Sequence, residues 1–80
     1  MTWVIAVQFS DDQPVRLYVR RDCDRVGPGY CERIVYDITT SYDAARRFST
    51  EAGAAREANR ACFQISPKLA QFLRPERAFS

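Results

Sequence analysis

The segment YDAARRFSTEAGAAREANR, Tyr42 to Arg60, is crowded with alanine, studded with arginine and free of leucine, isoleucine and valine. Thr40, three residues before Asp43, gives a capping-box-like start to a short helix carrying Ala44, Ala45 and Phe48. The run Phe48-Ser49-Thr50 interrupts it, and Ser49 or Thr50 then caps a second helix beginning at Glu51. On a helical wheel Ala52, Ala55, Ala58 and Cys62 share one side, and Gly53, Arg56, Glu57 and Arg60 the opposite side. A helix whose inner side is alanine lies close against its support, so the large side chains in that contact must come from the support. The segment therefore calls for a sheet.

The residues before it supply one. Trp3, Ile5, Val7 and Phe9 alternate with Val4, Ala6 and Gln8, the period of a strand with one strongly apolar face. SDDQP breaks the run, and Val15, Leu17 and Val19 then alternate with Arg16, Tyr18 and Arg20, which predicts an antiparallel hairpin. RDCDRVGPG reads as a loop. Alternation returns from Tyr30 to Ile38, with Ile34, Tyr36 and Ile38 on one face, and gives a third strand.

After the alanine helix, ACFQIS is read as either a short fourth strand or a helix end and linker. In SPKLAQFLRP, Ser66 caps, Pro67 suits the first helical position, Leu69, Phe72 and Leu73 form an apolar stripe and Pro75 stops the helix. The tail from Glu76 to Ser80 is expected to be loose. The expected architecture is a single α+β domain over residues 1–80, an antiparallel sheet of three to four strands with two to three helices on one face. Its core should draw on Trp3, Ile5, Val7, Phe9, Leu17, Ile34, Tyr36, Phe48 and the alanine helix.

Eighty residues lie near the lower end of what folds unaided, and an apolar share of 46% with ten aromatic residues fills a modest core. The opening MTWVIAVQFSDDQ has no basic n-region and meets Gln and Asp early, so it does not read as a signal peptide. No stretch approaches the ~20 apolar residues of a membrane span, and a cytoplasmic protein is expected. Eleven of the twelve basic residues are arginine, Lys68 being the exception. Arginine codons of a GC-rich genome account for that bias, and so would flat, bidentate contacts with carboxylates or phosphates.

Cys23, Cys31 and Cys62 form no CxxC pair, and the chain has no histidine. Three thiolates without a fourth ligand do not make a closed zinc site. A reducing cytoplasm argues against a Cys23–Cys31 disulfide, and the cysteines read as small hydrophobes with one reactive thiol in the loop. DCDRVGPGYCER begins like a calcium loop with Asp22, Asp24 and Gly27, but Val26 and Arg33 stand where oxygen ligands are needed. No metal or cofactor is expected. Without histidine or a nucleophile, phosphate or dinucleotide motif, an enzyme is not expected either.

Two basic surfaces remain. The first is helical: Gly53, Arg56, Glu57 and Arg60, extended by Arg46 and Arg47, a face for an acidic protein partner. Arg56 and Arg60 repel across one turn and Gly53 costs about 1 kcal/mol against alanine, penalties a used surface would justify. The second is an open sheet face with Arg16, Tyr18, Arg20 and Arg33, suited to stacking and phosphate contact in a small nucleic-acid-binding module. Asp11, Asp12, Asp22 and Asp24 form an acidic rim in the loops that ranks behind both.

The succession WVIAV, RLYV, YDAARRFST and an alanine-rich helix over roughly residues 3 to 60 resembles small phage- and prophage-encoded accessory proteins, among them the type I anti-CRISPR proteins. The resemblance is one of size, composition and plan, and it transfers no site residues. It implies a non-enzymatic inhibitor in the cytoplasm of a bacterial host, which binds a CRISPR-Cas surveillance complex stoichiometrically and blocks its target DNA recognition. Many such inhibitors are acidic, and the net charge of +2 departs from that pattern.

Overall fold

The computed structural model describes residues 2–25 and 31–78, with side chains described over 2–22 and 34–78. The elements run β1 (Trp3–Val7), β2 (Leu17–Arg25), β3 (Cys31–Thr39), α1 (Glu51–Ala61), α2 (Pro67–Ala70) and β4 (Leu73–Arg77). The strands form one antiparallel sheet in the order β3-β2-β1-β4. The fold is a small α+β one, as the alternation and the alanine segment predict.

β1 is the centre of the structure, and Val4, Ile5, Ala6 and Val7 are all buried. Ile5 and Val7 pack with Val19, Tyr36 and Ile65 beneath Ala54, Ala58 and Ala61 of α1. Val4 and Ala6 pack on the other side with Tyr18 and Ala45, against Tyr42 and Ala78. WVIAV is thus a continuously apolar strand because both of its faces are covered. The second face is closed by residues 42–48 through Tyr42 and Ala45, Phe48 packing on the α1 side. They form a turn and an extended segment in place of the predicted short helix, with Ala44 and Ala45 donating back to Ser41 and Tyr42.

That segment also fills a gap in the sheet. β1 and β2 pair only at Ala6–Tyr18 and Val7–Leu17. Beyond that point Arg46 N–H donates to the Val19 carbonyl (3.1 Å), and Trp3 and Phe48 exchange backbone hydrogen bonds at 2.8 Å each. β2 continues alongside β3 as a ribbon as far as Arg25, so residues 21–25 of the expected loop are strand, and residues 26–29 of it lie outside the described residues.

Three further expectations are corrected. The inner stripe of α1 is Ala54, Ala58 and Ala61, rotated from the predicted Ala52, Ala55, Ala58 and Cys62; Ala52 is exposed. Phe9 and Ile34 lie outside the core, 46% and 37% exposed. The C-terminal helix stops at Ala70, and the residues expected as its end and as a loose tail form β4, paired with β1 from Trp3–Arg77 to Val7–Leu73. The apolar edge of β1 needs a partner, and that requirement overrides the helical stripe.

Pro75 fits because β4 is an edge strand. Gln8 bonds Phe72, and Ala78 bonds Thr2, so alternation along the ladder turns the Pro75 nitrogen away from β1. At the opposite edge the Gln64 side chain brackets β3: Tyr36 N–H donates to its Oε1 and its Nε2 donates to the Ile34 carbonyl, both at 2.9 Å. Asp37 accepts from Ile38 N–H (2.8 Å) along the same strand.

Candidate functional site

α1 begins where Thr50, in extended conformation, accepts a hydrogen bond from Gly53 N–H at 3.0 Å. Glu51 stands in the first turn and Arg60 in the last, the favourable signs for the helix dipole. Gly53 has a local reason to be glycine, since an added Cβ would stand 3.0 Å from Thr50 Oγ1.

Glu57 separates from the outward face predicted for it. Its side chain is only 13% exposed, and its two oxygens accept from Arg21 on β2 and from the Tyr36 hydroxyl on β3. Burial, followed by the hydrogen bond and the charge of Glu57, raises the Tyr36 pKa above its ordinary value, with Arg21 and Arg60 opposing. Glu57 is therefore a tie between helix and ribbon.

With the one acid of the predicted patch turned inward, the outer side of α1 carries Arg56 and Arg60, both exposed and in no ion pair among the described residues. Phe63, seven residues after Arg56 and three after Arg60, is 89% exposed. Beside it runs a groove of about 540 Å³ lined by Ala58, Cys62, Phe63, Pro67, Ala70 and Leu73 together with the polar Asn59 and Gln71, between α1 on one side and α2 with β4 on the other. Reading ACFQIS as a strand hides Phe63. Continuing the helical period past Ala61 would have placed its ring with Arg56, away from the alanines.

Arg46 and Arg47 do not stand on the helix expected before α1. They are successive residues of the extended segment, Arg46 stacked on Phe48 (5.5 Å) and Arg47 on Tyr42 (4.2 Å). Tyr42 lies on the sheet face opposite α1.

The alternative site loses its stacking element. Tyr18 is 9% exposed and packs edge-to-face on Tyr42, with ring centroids 5.5 Å apart. Arg16 pairs with Glu76, and Arg20 with Asp22 at 2.8 Å. Arg33 stands opposite Asp24 in the β2–β3 register, its side chain outside the described ones.

The backbone register sets Cys23 opposite Ile34 and Cys31 opposite Arg25, and the side chains of both cysteines lie outside the described ones. Cys62 is a half-buried free thiol whose Sγ donates to the Asn59 carbonyl at 2.9 Å. No helix among the described residues is long and apolar enough to cross a membrane. The chain matches no protein-family model, no curated protein and no solved structure.

Proposed function

We propose that this chain is a non-enzymatic inhibitor that uses the outer side of α1 to bind an acidic surface of a type I CRISPR-Cas surveillance complex in a bacterial cytoplasm and block target DNA recognition. The observation that carries the binding reading is the exposed Phe63, seven residues after the exposed Arg56 and three after the exposed Arg60. An aromatic ring so fully in water has no packing role in the chain itself, and aromatic and arginine side chains are the residue types that dominate protein interfaces. The choice of complex follows the resemblance in size and plan.

Purified chain is mixed with a type I surveillance complex, and separately with DNA and RNA, and each mixture is run on size-exclusion chromatography. Co-elution with the complex alone is expected, lost in Arg56→Glu with Arg60→Glu and in Phe63→Ser while circular dichroism shows the fold retained. Co-elution unaffected by these substitutions would remove α1 from the interface, and failure to co-elute would remove the complex as partner. Binding to nucleic acid alone, weakening steeply with added salt, would overturn the proposal in favour of direct recognition.

A further inference from the structure

The groove beside Phe63 is walled by uncharged side chains, mostly apolar, with the polar Asn59 and Gln71 among them. None of the lining residues is charged, and the exposed cations of the two helices that wall the groove are Arg56 and Arg60 of α1 and Lys68 of α2. Of the two acids in α1, Glu57 is held by Arg21 and Tyr36, and Glu51 lies at the far end of the helix. At about 540 Å³ the groove is within the ~300–1,000 Å³ range of ligand pockets, far more than a trapped water needs.

We infer that this groove receives a large apolar side chain from an acidic segment of the protein partner. Phe63 would close over that side chain, and the flanking carboxylates would meet Arg56, Arg60 and Lys68. This rests on the reading of α1 as the binding surface and adds the chemistry of what it binds. The basic rim selects an acidic segment, and the uncharged walls require that one of its residues be desolvated. Carboxylates alone would leave the walls wet, and an uncharged apolar segment would leave the cations unmatched.

The probe is a synthetic helix-forming peptide with glutamates on one face and leucines on the other. It is compared with a leucine-to-serine counterpart and a glutamate-to-lysine counterpart. Binding to the isotopically labelled chain is followed by fluorescence anisotropy and amide chemical shifts. The Glu/Leu peptide is expected to bind about tenfold or more tighter than either counterpart, shifting amides of Ala58, Cys62, Phe63, Ala70 and Leu73. Ala70→Trp, at a half-buried position in the groove wall, should abolish this binding with the fold retained.

Equal binding of the serine peptide, or shifts confined to the sheet, would overturn the inference. So would concentration-dependent shifts at the groove in chain alone, because the occupant would then be a second copy. If Arg56→Glu with Arg60→Glu abolishes peptide binding and Ala70→Trp does not, the groove fails and the α1 surface stands. If neither variant changes binding, both fail.

Discussion

Glu57 of α1 accepts the hydroxyl hydrogen of Tyr36 from β3 and so fastens the helix to the outermost strand of the sheet. The same carboxylate holds Arg21, so each of its oxygens has a partner. Glu57→Ala leaves a part-buried guanidinium and a phenol without their acceptor. It is expected to cost about 2 kcal/mol in urea unfolding, within the range for hydrogen bonds to charged groups.

Tyr36 also gives stability a dependence on alkaline pH. Its folded pKa is raised above 10.0, chiefly by burial and then by Glu57, so folding favours the neutral phenol. That contribution is complete below the unfolded pKa of about 10 and is lost as pH rises through the folded value. Tyr36→Phe should therefore be less stable at neutral pH and show a shallower decline above pH ~10. Urea midpoints across alkaline pH, with phenolate absorbance followed in parallel, check this; identical declines in both proteins would contradict it.

The facing of α1 can be tested by size. Ala54→Leu and Ala61→Leu, at buried positions outside the predicted stripe, force extra methylenes between helix and sheet and should each cost about 1–3 kcal/mol. Ala52→Leu, on the exposed side, should stay within about 0.5 kcal/mol of the parent. The opposite ranking in thermal unfolding would mean that the predicted wheel, and not the observed one, sets the buried stripe.

At Gly53 two effects oppose. Alanine should gain about 1 kcal/mol of helix propensity, but its Cβ would crowd the Thr50 hydroxyl that caps the helix, and losing the cap costs about 1 kcal/mol. Gly53→Ala is expected to be close to neutral alone and clearly stabilising in a Thr50→Ala background. A double-mutant cycle with no coupling would separate the glycine from the cap.

Removing residues 73–80 takes away every backbone partner that β4 gives β1. The truncated chain is expected to lose cooperative thermal unfolding, whereas removal of residues 79–80 alone should leave the melting temperature unchanged. A stable fold without β4 would restore the original expectation of a loose tail for Glu76 onward.

The strands, the N-cap and the alanine helix were legible because each depends on neighbours in sequence: alternation in β1 to β3, the Thr50 hydroxyl, the absence of large residues in α1. β4 was not, because Leu69, Phe72 and Leu73 fit a helical stripe and only the open edge of β1, some seventy residues earlier, decides otherwise. The two arginines of the candidate surface were found from the wheel. Glu57 was misplaced because its partners Arg21 and Tyr36 come from other strands, a contact that no local pattern encodes. Alternation alone points the Tyr18 ring to solvent, because the cover over the second sheet face, Tyr42 and Ala45, comes from a segment whose local pattern reads as a helix.

The parting of β1 from β2 at Val19 divides the sheet's response to solvent. Amides in β1 lie between β4 on one side and β2 followed by Phe48 on the other, under cover on both faces, and their deuterium uptake should wait for global unfolding. Past Val19, the ribbon of β2 and β3 is held, among the described residues, by its own ladder, by the packing of Tyr36 and Ile38 and by the side-chain ties of Glu57 and Gln64. Its amides can exchange through a smaller opening that leaves β1 and β4 intact. A chain of eighty residues would then show two protection levels, with α1 setting the lower one.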